Sequence, residues 1–144
     1  MRIKHKIIFL DIDGTINGIM TTSKGPTGYT GLDDEMVSKL HKILNITNAK
    51  IVLSSTWRIY PELIEYLYKE IGRDYFIGQT PEIFKMDSRA EEIKQYLNEH
   101  KDEIEKYIII DDMKLRGFGD RFVRTSTDIG LTDDLTENCI EKLM

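Results

Sequence analysis

Ile7-Ile8-Phe9-Leu10-Asp11-Ile12-Asp13-Gly14-Thr15 is the stretch that decides the fold. Its first four residues form an unbroken apolar run of strand length, as expected for a parallel strand covered on both faces. Two carboxylates follow at once, and Gly14 lets the chain turn sharply behind them. Sheets of this kind bind ligands beyond the carboxyl ends of their strands. The acids therefore stand where chemistry is expected, and the residues after every other apolar run become the next places to look.

The remaining chain alternates in the manner this start requires. Asp33 to Ile46 has helical spacing, with apolar residues at Met36, Val37, Leu40, Ile43 and Leu44. Ile51-Val52-Leu53 is a second buried strand. Pro61 to Ile71 reads as a helix with Pro61 in its first turn, a stripe of Leu63, Ile64, Leu67 and Ile71, and Gly72 as its stop. Tyr75-Phe76-Ile77 is a short third strand, and Ser88-Arg89-Ala90-Glu91 has the form of a capping box opening a helix with Ile93 and Leu97 inward. Tyr107 to Ile110 and Phe122-Val123 complete five strands, and Thr132 caps a last helix through Leu135, Ile140 and Leu143. The pattern predicts an α/β, Rossmann-like three-layer sandwich around a mostly parallel five-stranded sheet.

Composition narrows the class without naming a function. The chain has 144 residues, 40% of them apolar, and 20 basic against 25 acidic side chains for a net charge of −5. That length suits one domain over residues 1–144, with no repeat or low-complexity linker to divide it. One cysteine, Cys139, excludes a disulfide scaffold and favours a reducing, cytoplasmic setting. No apolar run approaches the ~20 residues of a membrane span, and the run after Lys6 is too short for a signal peptide. The acidic balance argues against a protein whose main work is gripping phosphates along a nucleic acid.

Three strands end in groups that do chemistry: Asp11 and Asp13, then Ser54-Ser55-Thr56, then Asp111-Asp112. Carboxylates at i and i+2 past a strand can point to one side. Four acids converging on one sheet edge repel one another unless a cation lies among them. Hard oxygen ligands suit Mg²⁺. His5, His41 and His100 lack zinc-type spacing.

Phe9-Leu10-Asp11-Ile12-Asp13-Gly14-Thr15 resembles the first signature of the haloacid dehalogenase (HAD) superfamily. Ile51-Val52-Leu53-Ser54 resembles its second and Ile108-Ile109-Ile110-Asp111-Asp112 its fourth, a likeness spanning roughly residues 7 to 125. The resemblance implies a phosphatase. Asp11 would be the nucleophile, forming an aspartyl-phosphate. Asp13 would protonate the leaving oxygen, then serve as base for water, and lend its backbone carbonyl to Mg²⁺. The family's carbon–halogen hydrolases lack that second acid, so phosphoryl transfer is the expected reaction. Ser54 would donate a hydrogen bond to the phosphoryl group, with Gly14, Thr15 and Ser55 beside it on the substrate. Asp111 and Asp112 would complete the metal shell directly or through water.

The third signature is a Lys or Arg that stabilises the aspartyl-phosphate. Arg89 stands in the expected place, with Lys85 and Lys94 as the other candidates. An Arg retains the charge and the phosphate-binding capacity of the commoner Lys. Ser54-Ser55-Thr56-Trp57-Arg58 resembles small HAD domains of RNA-repair-like proteins. It is also similar to polynucleotide 3′-phosphatases, which carry an Arg soon after the motif Ser. Arg58 is either a bidentate phosphate ligand or half of a salt bridge. Trp57 either packs in the core, the commoner role for a lone Trp beside a strand, or stacks on a base.

Thr15 to Asp33 and Glu70 to Lys85 are each too short for a folded cap. A capless, open site follows, shielded at most by a flap around Met20 and Tyr29. It would admit a phosphorylated substrate as large as a polynucleotide end or nucleotide, on a rim of Arg58, Arg89, Lys114, Arg116 and Arg121. Small metabolites or phosphoproteins are the alternative substrates, and a catalytically silent HAD-like binding module is the alternative function. A response-regulator receiver domain would need an acceptor Asp near residue 54, where Ser54-Ser55 stands.

Overall fold

The computed structural model describes residues 3–83 and 88–144. Five strands, β1 (His5–Leu10), β2 (Lys50–Leu53), β3 (Phe76–Gln79), β4 (Ile104–Asp111) and β5 (Phe122–Arg124), form one sheet in the order β3-β2-β1-β4-β5. Every neighbouring pair is parallel. Four helices, α1 (Asp34–Thr47), α2 (Pro61–Leu67), α3 (Arg89–Glu99) and α4 (Asp133–Leu143), connect and cover it. Chain order runs outward from β1 through β2 to β3, then returns to the other side of β1 for β4 and β5. The switch point thus lies between β1 and β4, where a sheet of this type opens a crevice at its carboxyl edge.

The pleat divides the apolar residues of each strand between two layers. Ile8, Leu10, Ile51, Leu53, Ile108 and Ile110 pack with Leu40, Ile43 and Leu44 of α1, Leu63 and Leu67 of α2, and Cys139, Ile140 and Leu143 of α4. Ile7, Phe9, Val52 and Ile109 pack on the opposite face with Ile93 and Tyr96 of α3 and with Phe118. Phe9 meets the edges of both Tyr96 and Tyr107, at centroid separations of 5.5 and 5.9 Å. Continuous apolar runs in β1 and β4 are therefore required by geometry, since each residue faces a covered layer. Cys139 is buried there, which pushes its thiol up to about 12.

Local details depart from the expected boundaries for identifiable reasons. Asp33 is the cap of α1, accepting from the Glu35 and Met36 N–H groups, rather than its first helical residue. The α2 helix stops at Leu67 and continues as a π turn over Tyr68–Gly72, which ends at Gly72 with φ +122°. The wider turn keeps Ile71 buried although the α-helical stripe has ended. Ser88 does not close the expected capping box: its φ/ψ of −85°/−5° is already helical, and its side chain makes no cap bond. Ser88 instead contributes its carbonyl to the Glu92 N–H. Tyr96 takes the buried position on α3, with Leu97 only partly covered against the same cluster. Thr132 caps α4 as expected, through the Leu135 N–H.

Between β1 and α1 the chain forms an irregular flap containing one 3-10 turn, Pro26–Gly28. Its base is tied to the loop after β5 by the Ile19 N–H on the Asp128 carbonyl, 2.8 Å, while Ile19 and Met20 stand exposed. Among the described residues no further folded unit interrupts the sheet and its helices or stands over the carboxyl edge. No helix among them is long and apolar enough to cross a membrane.

Candidate active site

Strand register builds the site. Leu10 is paired with Leu53 on one side and Ile110 on the other, so Asp11, Ser54 and Asp111 are the next residues along three neighbouring strands. Main-chain bonds carry the ladder one step further, from Asp11 N–H to the Ile110 carbonyl (3.0 Å) and from Ser54 N–H to the Leu10 carbonyl (2.9 Å). All three residues have the parity of Phe9, Val52 and Ile109, which is the α3 face of the sheet. The first residue of α3 is Arg89. Its Nη1 lies 2.6 Å from Asp111 Oδ2 and 3.3 Å from Asp11 Oδ1, so one guanidinium spans both acids.

Asp112 closes the group from the other side. Carboxylate oxygens of Asp11, Asp111 and Asp112 all lie within 4.8 Å of one another. The Thr127 hydroxyl donates to Asp112 Oδ2 at 2.9 Å. Gly14 makes the approach possible: a Cβ at that position would stand 2.3 Å from Asp112 Oδ2, and the backbone φ there is +78°. Met113 N–H donates to Asp111 Oδ1 at 2.9 Å. The Thr15 hydroxyl reaches Asp11 Oδ2 at 3.5 Å and the Thr125 hydroxyl at 3.1 Å, while Thr125 donates to the Gly14 carbonyl at 2.8 Å.

One guanidinium against three carboxylates leaves the cluster short of positive charge. Burial, followed by the charge of Asp111, pushes the Asp11 carboxyl from 3.8 up to about 8 against the pull of Arg89. Burial raises Asp111 as well, opposed by Arg89 and by the Met113 N–H. For Arg89, burial works to lower the guanidinium, and the two acids outweigh it and raise it. Hard, acceptor-only oxygens gathered around missing positive charge are the donor set that Mg²⁺ prefers. The Ser54 hydroxyl adds a second sign of an absent ligand, since it is fully buried and has no hydrogen-bond partner.

Several expected placements are corrected. Three acids converge, not four. The turn that begins at Ile12, with the Thr15 and Ile16 N–H groups both on its carbonyl, breaks the period-two alternation. Asp13 is carried out of the cluster to an exposed position. Its Oδ2 accepts from Trp57 Nε1 at 2.9 Å and its Oδ1 from Asn17 Nδ2 at 3.1 Å. Trp57 is therefore a core residue, and its indole N–H is directed at the site.

Arg58 is not free to hold a phosphate. It is buried and donates to the carbonyls of Ser55, Thr80 and Pro81 and, at 2.8 Å, to Glu92 Oε2. Glu92 is buried too and also accepts the Ile83 N–H at 2.9 Å. This pair staples the loop after β2 to the first turn of α3, the turn that presents Arg89. The Ser55 hydroxyl is occupied as well, capping the 3-10 turn Thr56–Ile59 through the Trp57 N–H.

Of the basic candidates, Arg89 reaches the acids. Lys94 instead lies over the Phe118 ring, 5.4 Å from its centroid. Lys85 lies outside the described residues. The expected basic rim is reduced, because Arg58 is committed to Glu92 and loop carbonyls, Arg89 lies against Asp11 and Asp111 inside the site, and Arg121 bonds the carbonyls of Tyr107 and Lys142. Lys114 and Arg116 remain exposed. Beside Asp112 opens a cleft of about 510 Å³ lined by Arg124, Thr125, Ser126, Thr127 and Asp128.

Reading the sequence missed Asn17, Thr125 and Glu92 as site residues. Asn17 offered a weak signal, an amide four residues beyond Asp13 on a tight turn. Thr125 and Glu92 offered none, because their roles arise from partners far along the chain.

A comparison with protein families matches residues 7–135 to the family described as the HAD domain in Swiss Army Knife RNA repair proteins, and the chain belongs to it. No curated protein matches the chain.

Proposed function

We propose that this member of the family is a Mg²⁺-dependent phosphohydrolase that acts through an aspartyl-phosphate on Asp11, with a phosphomonoester at a nucleic-acid end or on a nucleotide as substrate. The observation that carries the reading is the meeting of Asp11, Asp111, Asp112 and Arg89 beside the unpartnered hydroxyl of Ser54.

In this reading Asp11 attacks phosphorus, the ester P–O bond breaks, and Asp13 gives its proton to the departing oxygen. Water then attacks the same phosphorus and passes a proton to Asp13. The Asp11–phosphorus bond breaks, inorganic phosphate leaves, and both carboxyl groups return to their starting states. Ser54 donates to a phosphoryl oxygen, and Arg89, already held against Asp11, faces the charge that develops there. Asp11, Asp111 and Asp112 would hold Mg²⁺, with the Asp13 backbone carbonyl as the fourth protein ligand the resemblance implies. When bound, the cation neutralises phosphoryl charge and orients the ester.

Support for a nucleic-acid end comes from the family's description and from the open carboxyl edge with Lys114 and Arg116 exposed near it. The test is hydrolysis of 4-nitrophenyl phosphate with and without Mg²⁺, followed by a panel of 3′- and 5′-phosphorylated oligonucleotides, nucleotides, sugar phosphates and phosphopeptides. Turnover should require Mg²⁺ and vanish in Asp11→Asn, and beryllium fluoride should bind with Mg²⁺ as a mimic of the phospho-enzyme. Wild-type turnover in Asp11→Asn would refute the mechanism. Preference for sugar phosphates or phosphopeptides would refute the substrate class.

A further inference from the structure

We propose that Trp57 is a positioning residue for proton transfer: its indole N–H, together with the Asn17 amide, holds the Asp13 carboxylate in the orientation from which it exchanges a proton with the substrate oxygen and with water. The inference rests on the phosphohydrolase reading and concerns a residue to which neither the family match nor the HAD motifs assign a role.

Trp57 is fully buried and the largest side chain so enclosed. Its ring meets the edge of Tyr29 at 5.6 Å and lies 6.2 Å from Tyr66, so the indole cannot swing. The turn that carries it is fixed at both ends, by the Ser55 cap and by the Arg58–Glu92 pair. Core packing explains the ring but not the N–H, because a phenyl group fills apolar space without bringing a donor that must be satisfied. That donor goes to Asp13, 44 residues away along the chain, at 2.9 Å.

Asp13 needs such a hold. It is exposed, and it sits just where the chain leaves the sheet, so packing does not select its rotamer. The Asn17 amide supplies the second tether and cannot flip, because its Oδ1 accepts the Gly14 N–H at 2.9 Å while its Nδ2 donates to Asp13 at 3.1 Å and to the Gly31 carbonyl at 3.2 Å. Each carboxylate oxygen thus accepts one N–H and keeps its remaining lone pair for the travelling proton. Misplacing a catalytic group by about 1 Å can cost ~100-fold in rate, so the two tethers are a means of catalysis. The loop after β2 accordingly serves both halves of the reaction. Ser54 addresses the phosphoryl group, and Trp57, one turn later, addresses the proton donor.

The decisive comparison is Trp57→Phe on two esters, 4-nitrophenyl phosphate, whose leaving group needs little protonation, and an alkyl phosphate, whose leaving group needs a full proton. In the first turnover, leaving-group release from the alkyl ester should slow by about 10- to 100-fold, part of the ~100- to 10,000-fold that a positioned acid–base group supplies. First-turnover release from the aryl ester should slow by less than about threefold, since that leaving group departs without a full proton, while hydrolysis of the phospho-enzyme, which uses Asp13 as base, slows alike whichever ester formed it. Asp13→Asn should show the same contrast more strongly. An equal first-turnover loss on both esters, or a loss confined to KM, would overturn the positioning role while leaving the phosphohydrolase reading standing. Absence of turnover by the wild-type protein on either ester would refute both.

A second measurement needs no core substitution. The protein has one tryptophan, so its indole N–H gives a single, unambiguous signal in a ¹H–¹⁵N spectrum. That signal should move in Asp13→Asn and stay in place in Asp134→Asn, a change of exposed charge on α4. A signal indifferent to Asp13→Asn overturns the proposal, whatever Trp57→Phe does to folding.

Discussion

Asp11→Asn should make the metal-free protein more stable while abolishing turnover. In the folded state Asp11 is buried beside Asp111 and Asp112 with one guanidinium between them, and its carboxyl is raised from 3.8 to about 8. A group whose pKa is higher folded than unfolded contributes stability that is complete below the unfolded value and is lost as pH rises through the folded one. Each pH unit inside that window corresponds to ~1.4 kcal/mol, so between about pH 4 and pH 7 the full shift amounts to ~4 kcal/mol. Asp111 titrates together with Asp11, which brings the share recovered by removing this one carboxyl to about 2–4 kcal/mol. For a chain of this size that corresponds to a rise in Tm of ~6–12 °C near pH 7. Asparagine keeps the shape, and Arg89 keeps Asp111 at 2.6 Å, so no buried guanidinium is stranded. The assay is thermal denaturation in EDTA of wild type and variant, near pH 7 and again near pH 4.5, where the difference should shrink about fourfold, to ~2–3 °C. A lower Tm for the variant near pH 7, or an equal gain at both pH values, would refute the reasoning.

The same electrostatics makes Mg²⁺ a stabilising ligand near pH 7, raising the wild-type Tm by an amount that grows with the logarithm of its concentration, and by less in Asp112→Asn; calorimetry at several concentrations reads this directly. Arg58→Ala should destabilise by ~3–5 kcal/mol in urea denaturation, because the Glu92 carboxylate is left buried without its partner. Replacing both, Arg58→Met with Glu92→Leu, should restore much of that loss. Gly14→Ala should weaken Mg²⁺ binding more than it weakens the fold, since the new Cβ meets Asp112 Oδ2 and the φ of +78° disfavours a side chain; a Kd for Mg²⁺ unchanged from wild type would contradict this. Arg89→Lys should retain part of the turnover and Arg89→Ala almost none, as steady-state kinetics would show.

The strands and the acids behind β1 and β4 were legible because their causes are local. A strand covered on both faces must be apolar throughout, and groups that do chemistry collect at the carboxyl edge of such a sheet. Arg89 came from the resemblance, which implies a basic residue near the start of the helix before β4 and left Lys85 and Lys94 as the other candidates. What could not be read was pairing. The likeness of Asp13 to Asp11 in the motif concealed that a turn at Ile12 carries the two apart. Arg58 read either as a phosphate ligand or as half of a salt bridge, and only the fold brings up Glu92, 34 residues later, to decide for the bridge.

Sequence alone therefore determined the order of elements, the parallel sheet and the strand ends at which acids gather, because periodicity and strand-end position are properties of short segments. Tertiary structure decided which side chains are free and which are committed. A buried donor must find an acceptor wherever the fold supplies one, and neither the indole of Trp57 nor the guanidinium of Arg58 has its partner within its own segment. Two adjacent residues, each open to two readings in the sequence, thus became a core ring that tethers Asp13 and a salt bridge that staples α3, and no local rule of spacing names those partners.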